Sequence, residues 1–199
     1  MVAVADLVGD SAALERAHGL TSFAGGRHPG WGTANRIVPL GDSYIELIAV
    51  VDEHEAHESV LGDRVATSAA AGGGPMGWAV RPLDLDATAA RLGLGIGRGS
   101  RTTLSGERIE WRSAGLDEAM RRPWLPFFID WGDTAPFPGA IAEPVASITR
   151  LELEGDVQEL STWLGDHSLP LEPRAGTAGV TSIVLDGPRG PVQLARTGR

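Results

Sequence analysis

The chain has 199 residues, 42% of them hydrophobic, enough to bury a core as one domain or as a few fused modules. Its 17 basic and 26 acidic residues leave a net charge of −9, which argues against the basic stripe of a sequence-independent nucleic-acid surface. Every basic residue is arginine and there is no cysteine, so lysine Schiff bases, Walker-type phosphate loops, thiol nucleophiles, disulfides and thiolate metal sites are excluded.

The expected partner is therefore a small-molecule ligand, with no nucleic acid and no membrane. The start, Met1 to Leu7, lacks a basic region followed by an apolar stretch, so a cytoplasmic protein is the expectation. No run approaches the roughly 18 apolar residues of a membrane span.

The first segment reads as a strand over 2–5, then Asp10 capping a helix over 11–18 that Gly19 closes. Strand-like runs follow at 21–24, 33–40 and 44–51, with Gly41-Asp42 as a hairpin turn. An alanine-rich helix is expected over 52–71, then the flexible Gly72-Gly73-Gly74-Pro75. The second segment repeats the order: a strand at 76–80, Asp84 capping a helix over 85–92, Gly93, and strands at 100–103, 108–112 and 126–131. After a Pro/Gly loop over 132–144, the third does so again. It has a strand at 148–153, Asp156 capping a helix over 157–164, and strands at 171–174, 179–186 and 192–196.

Each segment thus reads β-α-β-β-β, an internal repeat of divergent sequence. The fold class expected is α+β, built from repeated βαβββ modules that form a curled mixed sheet around a cleft. The modules are placed at 1–71 (with the connecting helix), 76–135 and 145–199, the last as a βαβββ-like C-terminal addition.

Two of the strands carry one carboxylate in an apolar run: Tyr44-Ile45-Glu46-Leu47-Ile48 and Phe127-Phe128-Ile129-Asp130-Trp131. A carboxylate in such a strand is costly without a partner. Alternation puts Tyr44, Glu46 and Ile48 on one face, and sets Phe128 and Asp130 against Phe127, Ile129 and Trp131.

The repeat, with Gly25-Gly26-Arg27-His28-Pro29-Gly30-Trp31-Gly32-Thr33, Asn35, Gly77-Trp78-Ala79, Gly99-Ser100-Arg101-Thr102 and the two acidic strands, resembles the vicinal-oxygen-chelate superfamily. That superfamily includes glyoxalase I, extradiol dioxygenases and bleomycin-resistance proteins, and the likeness is nearest to its glyoxalase-like domain branch. It covers about residues 1 to 135 well and the third module loosely.

The resemblance implies paired modules curled around a cleft. In metal-dependent members a His from each module's first strand and a Glu or similar residue from its last hold the ion. This chain departs at both His positions: the stretch that would carry the first precedes Met1, and Trp78 stands near the second. A divalent metal is the one cofactor left open, with Glu46 and Asp130 as weak ligands and no organic cofactor expected.

Glu46 reads as a general base or metal ligand, or as a structural carboxylate paired with Arg36 or Arg112. His28, in a Gly/Pro loop beside Arg27 and Trp31, reads as a proton shuttle or as a turn residue bonding the backbone. The catalytic candidates are Glu46 and His28. The ligand-binding candidates are Trp31 as a stacking wall, Thr33 and Asn35 on one strand face, Arg101 and Arg112 as anion clamps, Phe128 and Asp130. His54 and His57 read as a solvated acidic helix start. Gly93, Gly95, Gly97 and Gly99 follow a helix and precede a strand, the reverse of a dinucleotide loop.

The function expected is an enzyme of lyase, isomerase or dioxygenase type on a small oxygen-rich metabolite. The alternative is a non-catalytic binding or resistance protein with a metal-free cleft. A homodimer is left open.

Overall fold

The computed structural model describes residues 1–132, 137–177 and 179–196; parts of the expected 132–144 loop and of the chain end lie outside these. The first unit contains β1 (Val2–Ala3), α1 (Leu7–His18), β2 (Phe23–His28), β3 (Thr33–Pro39) and β4 (Tyr44–Val50). Helices α2 (Glu53–His57) and α3 (Val60–Ala70) follow, then the short β5 (Gly74–Pro75). The second unit contains β6 (Ala79–Val80), α4 (Leu85–Leu92), β7 (Ile96–Thr102), β8 (Arg108–Ala114), α5 (Leu116–Arg121) and β9 (Phe127–Asp130). The third contains β10 (Ser147–Gly155), α6 (Val157–Leu164), β11 (Leu171–Ala175), β12 (Gly179–Gly187) and β13 (Gly190–Ala195).

Acidic caps set the helix starts. Asp84 accepts from Ala87 N and Asp156 from Glu159 N, where the sequence places them. The start of α1 differs: Asp6 is the N-cap and accepts from Val8 N, so the helix begins four residues before the expected position. Asp10 instead sits in the first turn and accepts from Ala5 N and Asp6 N at 3.2 and 3.0 Å. The expected helix over 52–71 is two helices, broken where Ser59 caps α3 through Gly62 N. The glycine-rich stretches flanking two candidates are strand, not loop: Gly25 to His28 belong to β2, and Gly97 and Gly99 to β7. At Gly99 the missing side chain leaves room for the Trp111 indole, which a Cβ would meet at 2.4 Å.

Nine strands form one curled sheet in the order β5-β1-β4-β3-β2-β7-β8-β9-β6. In both units the first strand lies parallel to the last, Val2 opposite Leu47 and Val80 opposite Phe128. Arg27 opposite Thr102 joins the units through β2 and β7. The sheet thereby curls into a half-barrel.

Its concave face is filled by α3 and α5, with Leu61, Val65 and Met120 packed among Trp111, Phe127, Ile129 and Trp131. Its convex face packs on α1, α4 and the third unit through Ile45, Leu47, Phe128, Leu151, Trp163 and Ile183.

The third unit has the expected order of elements but a different pairing. Its separate sheet runs β11-β10-β12-β13, with β10 parallel to β11 and antiparallel to β12. Its first strand thus neighbours its second rather than its fourth. Helix α6 packs on the second unit instead of closing a third half-barrel: Trp163 Nε1 donates to Pro126 O at 2.9 Å, and Arg91 donates to Thr162 O and Trp163 O. Among the described residues no helix is long and apolar enough to cross a membrane.

Candidate functional site

The concave side of the half-barrel holds a small chamber lined by His28, Asn35, Glu46 and Arg101 and walled by Trp31, Trp111 and Trp131. Strand alternation delivers these side chains. On β4, Tyr44 and Glu46 face inward while Ile45 and Leu47 go to the convex core. His28 ends β2, and Thr33 and Asn35 share the inner face of the adjacent β3.

Glu46 is held by Asn35 Nδ2, which donates to its Oε1 at 2.6 Å. It is not the partner of the arginines expected as alternatives. Arg36 donates to Ser22 Oγ at 2.9 Å, and Arg112 to Asp86 at 2.6 Å. His28 Nε2 lies 3.8 Å from Glu46 Oε1, and its Nδ1 lies 2.9 Å from Thr33 Oγ1. A lone pair on Nε2 aimed at a carboxylate is repelled, so the favoured tautomer carries its proton on Nε2 and accepts from Thr33 at Nδ1. Burial lowers the His28 pKa, Glu46 works against that, and Arg101 adds to it. Its ring stays neutral at neutral pH.

Arg101 is 5% exposed, and its Nε and Nη1 have no hydrogen-bond partner among the described residues. Its guanidinium carbon lies 5.7 Å from the Trp131 ring centre. Burial pulls its pKa down, opposed by the charge of Glu46 and by Tyr44. Gly25 makes room for this arrangement, because a Cβ there would lie 1.9 Å from Asn35 Oδ1 and 3.0 Å from Arg101 Nη1.

An aromatic frame fixes the walls. The ring centres of Trp111 lie 6.0 Å from His28, 5.9 Å from Trp31 and 5.0 Å from Trp131. Burial pushes the Tyr44 phenol up, Glu46 pushes it further, and Arg101 and the Trp131 N–H act the other way. Trp131 Nε1 and the Tyr44 hydroxyl fall short of hydrogen-bond geometry, since the indole nitrogen has no partner.

The loop between His28 and Thr33 is pinned from outside. Gly32, at φ +63°, accepts at its carbonyl from Val51 N and Asp52 N, and a Cβ there would meet Asp52 O at 2.4 Å. Arg27 spans to Asp52 and Glu55 on α2, so it staples the loop rather than lining the chamber.

Of the residues singled out in the sequence, the structure gathers His28, Trp31, Asn35, Glu46 and Arg101, with Thr33 as the support of His28. It places Arg112, Phe128 and Asp130 elsewhere. Phe128 stacks on Trp163 in the convex core at 6.3 Å. Asp130 accepts from Gly132 N and faces Arg112 at 3.9 Å.

The reason is register. Val2 and Val80 occupy matching places, each four residues before its helix cap, Asp6 and Asp84. Glu46 therefore corresponds to Phe127, and the position that looks alike in sequence, Asp130, corresponds to Ala49 on the other face. Tyr44, Trp111, Phe127, Ile129 and Trp131 also line the chamber, and only the period-2 pattern of β8 and β9 could have pointed to the last four.

These residues do not fit the four-ligand metal site of metal-dependent superfamily members. Among the described residues no group of three or more His, Asp and Glu gathers to hold an ion. Trp78 donates to Trp124 O at 3.2 Å where the second His is expected. A buried guanidinium also stands beside Glu46, which opposes a second cation there.

The family profile described as a glyoxalase-like domain matches residues 1–169. A search of curated proteins finds no match. Among solved structures, the crystal structure of a hypothetical protein from Staphylococcus aureus aligns with a TM-score of 0.60 at 14% identity. It covers 89% of this chain and 80% of that one, and at this identity the likeness speaks for the fold alone. With the profile spanning most of its length and a curled half-barrel of paired modules beneath it, the chain belongs to the glyoxalase-like domain family of the vicinal-oxygen-chelate superfamily.

Proposed function

We propose that the chain is an enzyme of lyase or isomerase type that moves a proton on an organic acid, Arg101 holding the acid's carboxylate and Glu46 acting as base. The observation that carries this reading is the buried Arg101 guanidinium, with two unpartnered nitrogens, facing a chamber whose lining includes one carboxylate. A buried cation without a partner costs several kcal/mol, and a guanidinium matches a carboxylate with two parallel hydrogen bonds, one from Nη2 and one from Nε or Nη1. A bound acid supplies what the fold leaves open.

Asn35 occupies Glu46 Oε1, which leaves Oε2 for proton transfer. Glu46 takes a proton from the carbon beside the ligand's carbonyl, and the electron pair moves onto the carbonyl oxygen. The unpartnered Trp131 N–H is a donor available to that oxygen. Returning the proton to the opposite face of the same carbon gives an epimer; expelling a leaving group from the next carbon gives a lyase product. Neutral His28, steadied by Thr33, orients Glu46 from the far side.

The test is exchange of carbon-bound protons in deuterium oxide, followed by NMR with pyruvate, 2-oxobutanoate and phenylpyruvate as probes. The protein accelerates exchange of at least one, and Glu46→Gln slows it by about 10²–10⁴-fold with affinity kept within a few-fold. Binding without exchange in the unmodified protein would favour the non-catalytic binding protein instead.

A further inference from the structure

The chamber is too small for a metabolite. It offers about 30 Å³ to the centre of a water-sized sphere, room for two or three waters at roughly 10–15 Å³ each. A second, larger space adjoins it. The groove between the half-barrel and the C-terminal sheet offers about 410 Å³ by the same measure, within the range of sites that enclose whole small molecules.

The two spaces adjoin, sharing Met1, Tyr44, Glu46, Phe127 and Ile129 in their linings. Beyond them the groove turns apolar. The C-terminal unit contributes Ile148, Leu151, Leu169, Leu171 and Ile183, and the half-barrel contributes Ile45, Trp78 and Val80. At one side Arg81 lies over the Phe137 ring at 4.4 Å.

We infer that the ligand is an amphipathic carboxylic acid: its carboxylate enters the chamber to meet Arg101, and its acyl or aryl body lies in the groove against the C-terminal sheet. The inference rests on the proposed Arg101 clamp and names the substrate class for it. Size decides the division of the ligand, since the chamber takes a headgroup and the groove the rest. Charge decides its direction, since the unpartnered guanidinium is at the chamber end and the apolar wall at the other. The third unit, whose sheet pairs differently from the other two, then has a role as the wall that selects the body of the ligand. An acid with an apolar body fits this wall better than an oxygen-rich metabolite.

Calorimetric titration with acetate, butanoate, hexanoate, octanoate and decanoate, each below its micelle concentration, tests this. Affinity rises roughly four-fold per methylene group and then levels where the groove is filled, while methyl octanoate binds at least ten-fold more weakly than octanoate. Leu171→Trp narrows the groove, so octanoate weakens at least ten-fold and butanoate stays within two-fold; Leu169→Trp serves if circular dichroism shows the first variant unfolded. A flat length series that still depends on Arg101 overturns the groove assignment and leaves the clamp standing. A length series unchanged in Arg101→Met overturns the clamp, and this inference with it.

Discussion

Strands β4 and β9 end the two units of the half-barrel and look alike in sequence, each apolar with one carboxylate, yet they aim those carboxylates at opposite faces. Glu46 points into the chamber and is gripped by Asn35, whereas Asp130 lies at the end of β9 beside the half-exposed Arg112. Parallel pairing with the first strand of each unit sets the difference, because Asp130 stands three places beyond the equivalent of Glu46, and an odd offset in a period-2 element exchanges the two faces completely. The inward position of β9 is filled by Phe127 and the outward one by Phe128. A duplicated fold therefore carries an unduplicated site, with Glu46 on the wall of the first unit and Arg101 with most of the aromatic rings on that of the second.

The comparison can be broken most forcefully at the two carboxylates. Glu46→Gln slows proton exchange by about 10²–10⁴-fold, and Asp130→Asn leaves exchange within two-fold; equal losses in both would put the two strands back in the same register. At the neighbouring phenylalanine, urea denaturation of Phe128→Ala shows a loss of about 3–5 kcal/mol, because its ring is 2% exposed and stacks on Trp163. The folded variant keeps its ligand affinity, and a large affinity loss at unchanged stability would move Phe128 into the cleft.

Gly25→Ala sharpens the account of how Glu46 is held. The added methyl overlaps Asn35 Oδ1 and crowds Arg101 Nη1, so stability falls by about 1–3 kcal/mol and exchange slows although Glu46 is not itself touched. An unperturbed variant would show that Asn35 does not need that space.

The pH dependence of stability reports on His28, which Glu46 and Arg101 face. The unfolded ring takes up its proton near the ordinary value of about 6.5, while burial lowers the folded value, with Glu46 opposing and Arg101 adding to the shift. Between the two values the unfolded state binds more protons, so this contribution is intact above about pH 6.5 and stability declines as pH falls through that window. His28→Asn flattens the decline in chemical-denaturation midpoints measured from pH 8 to 5; an unchanged slope would remove His28 from the cause.

Much of this was legible in the residues. Asp84 and Asp156 mark helix starts because a side-chain acceptor at that place has few other uses, and Glu46 was traceable through alternation on β4. Two facts were not readable. The offset of β9 depends on pairing with β6, only two residues long, which no local pattern encodes. The departure of the third unit depends on α6 seating Trp163 against Pro126, a contact between residues 37 apart in the chain. Arg101 was visible as a residue type among 17 arginines, but only the fold distinguishes a buried, unpartnered guanidinium from a solvated one.

The most direct test of the central claim pairs two readings on Arg101→Met: its melting temperature without ligand and its calorimetric affinity for octanoate. Removing an unpartnered buried cation that serves only the ligand leaves the melting temperature equal or higher and weakens octanoate at least 100-fold. A variant that binds octanoate as the unmodified protein does would contradict the account.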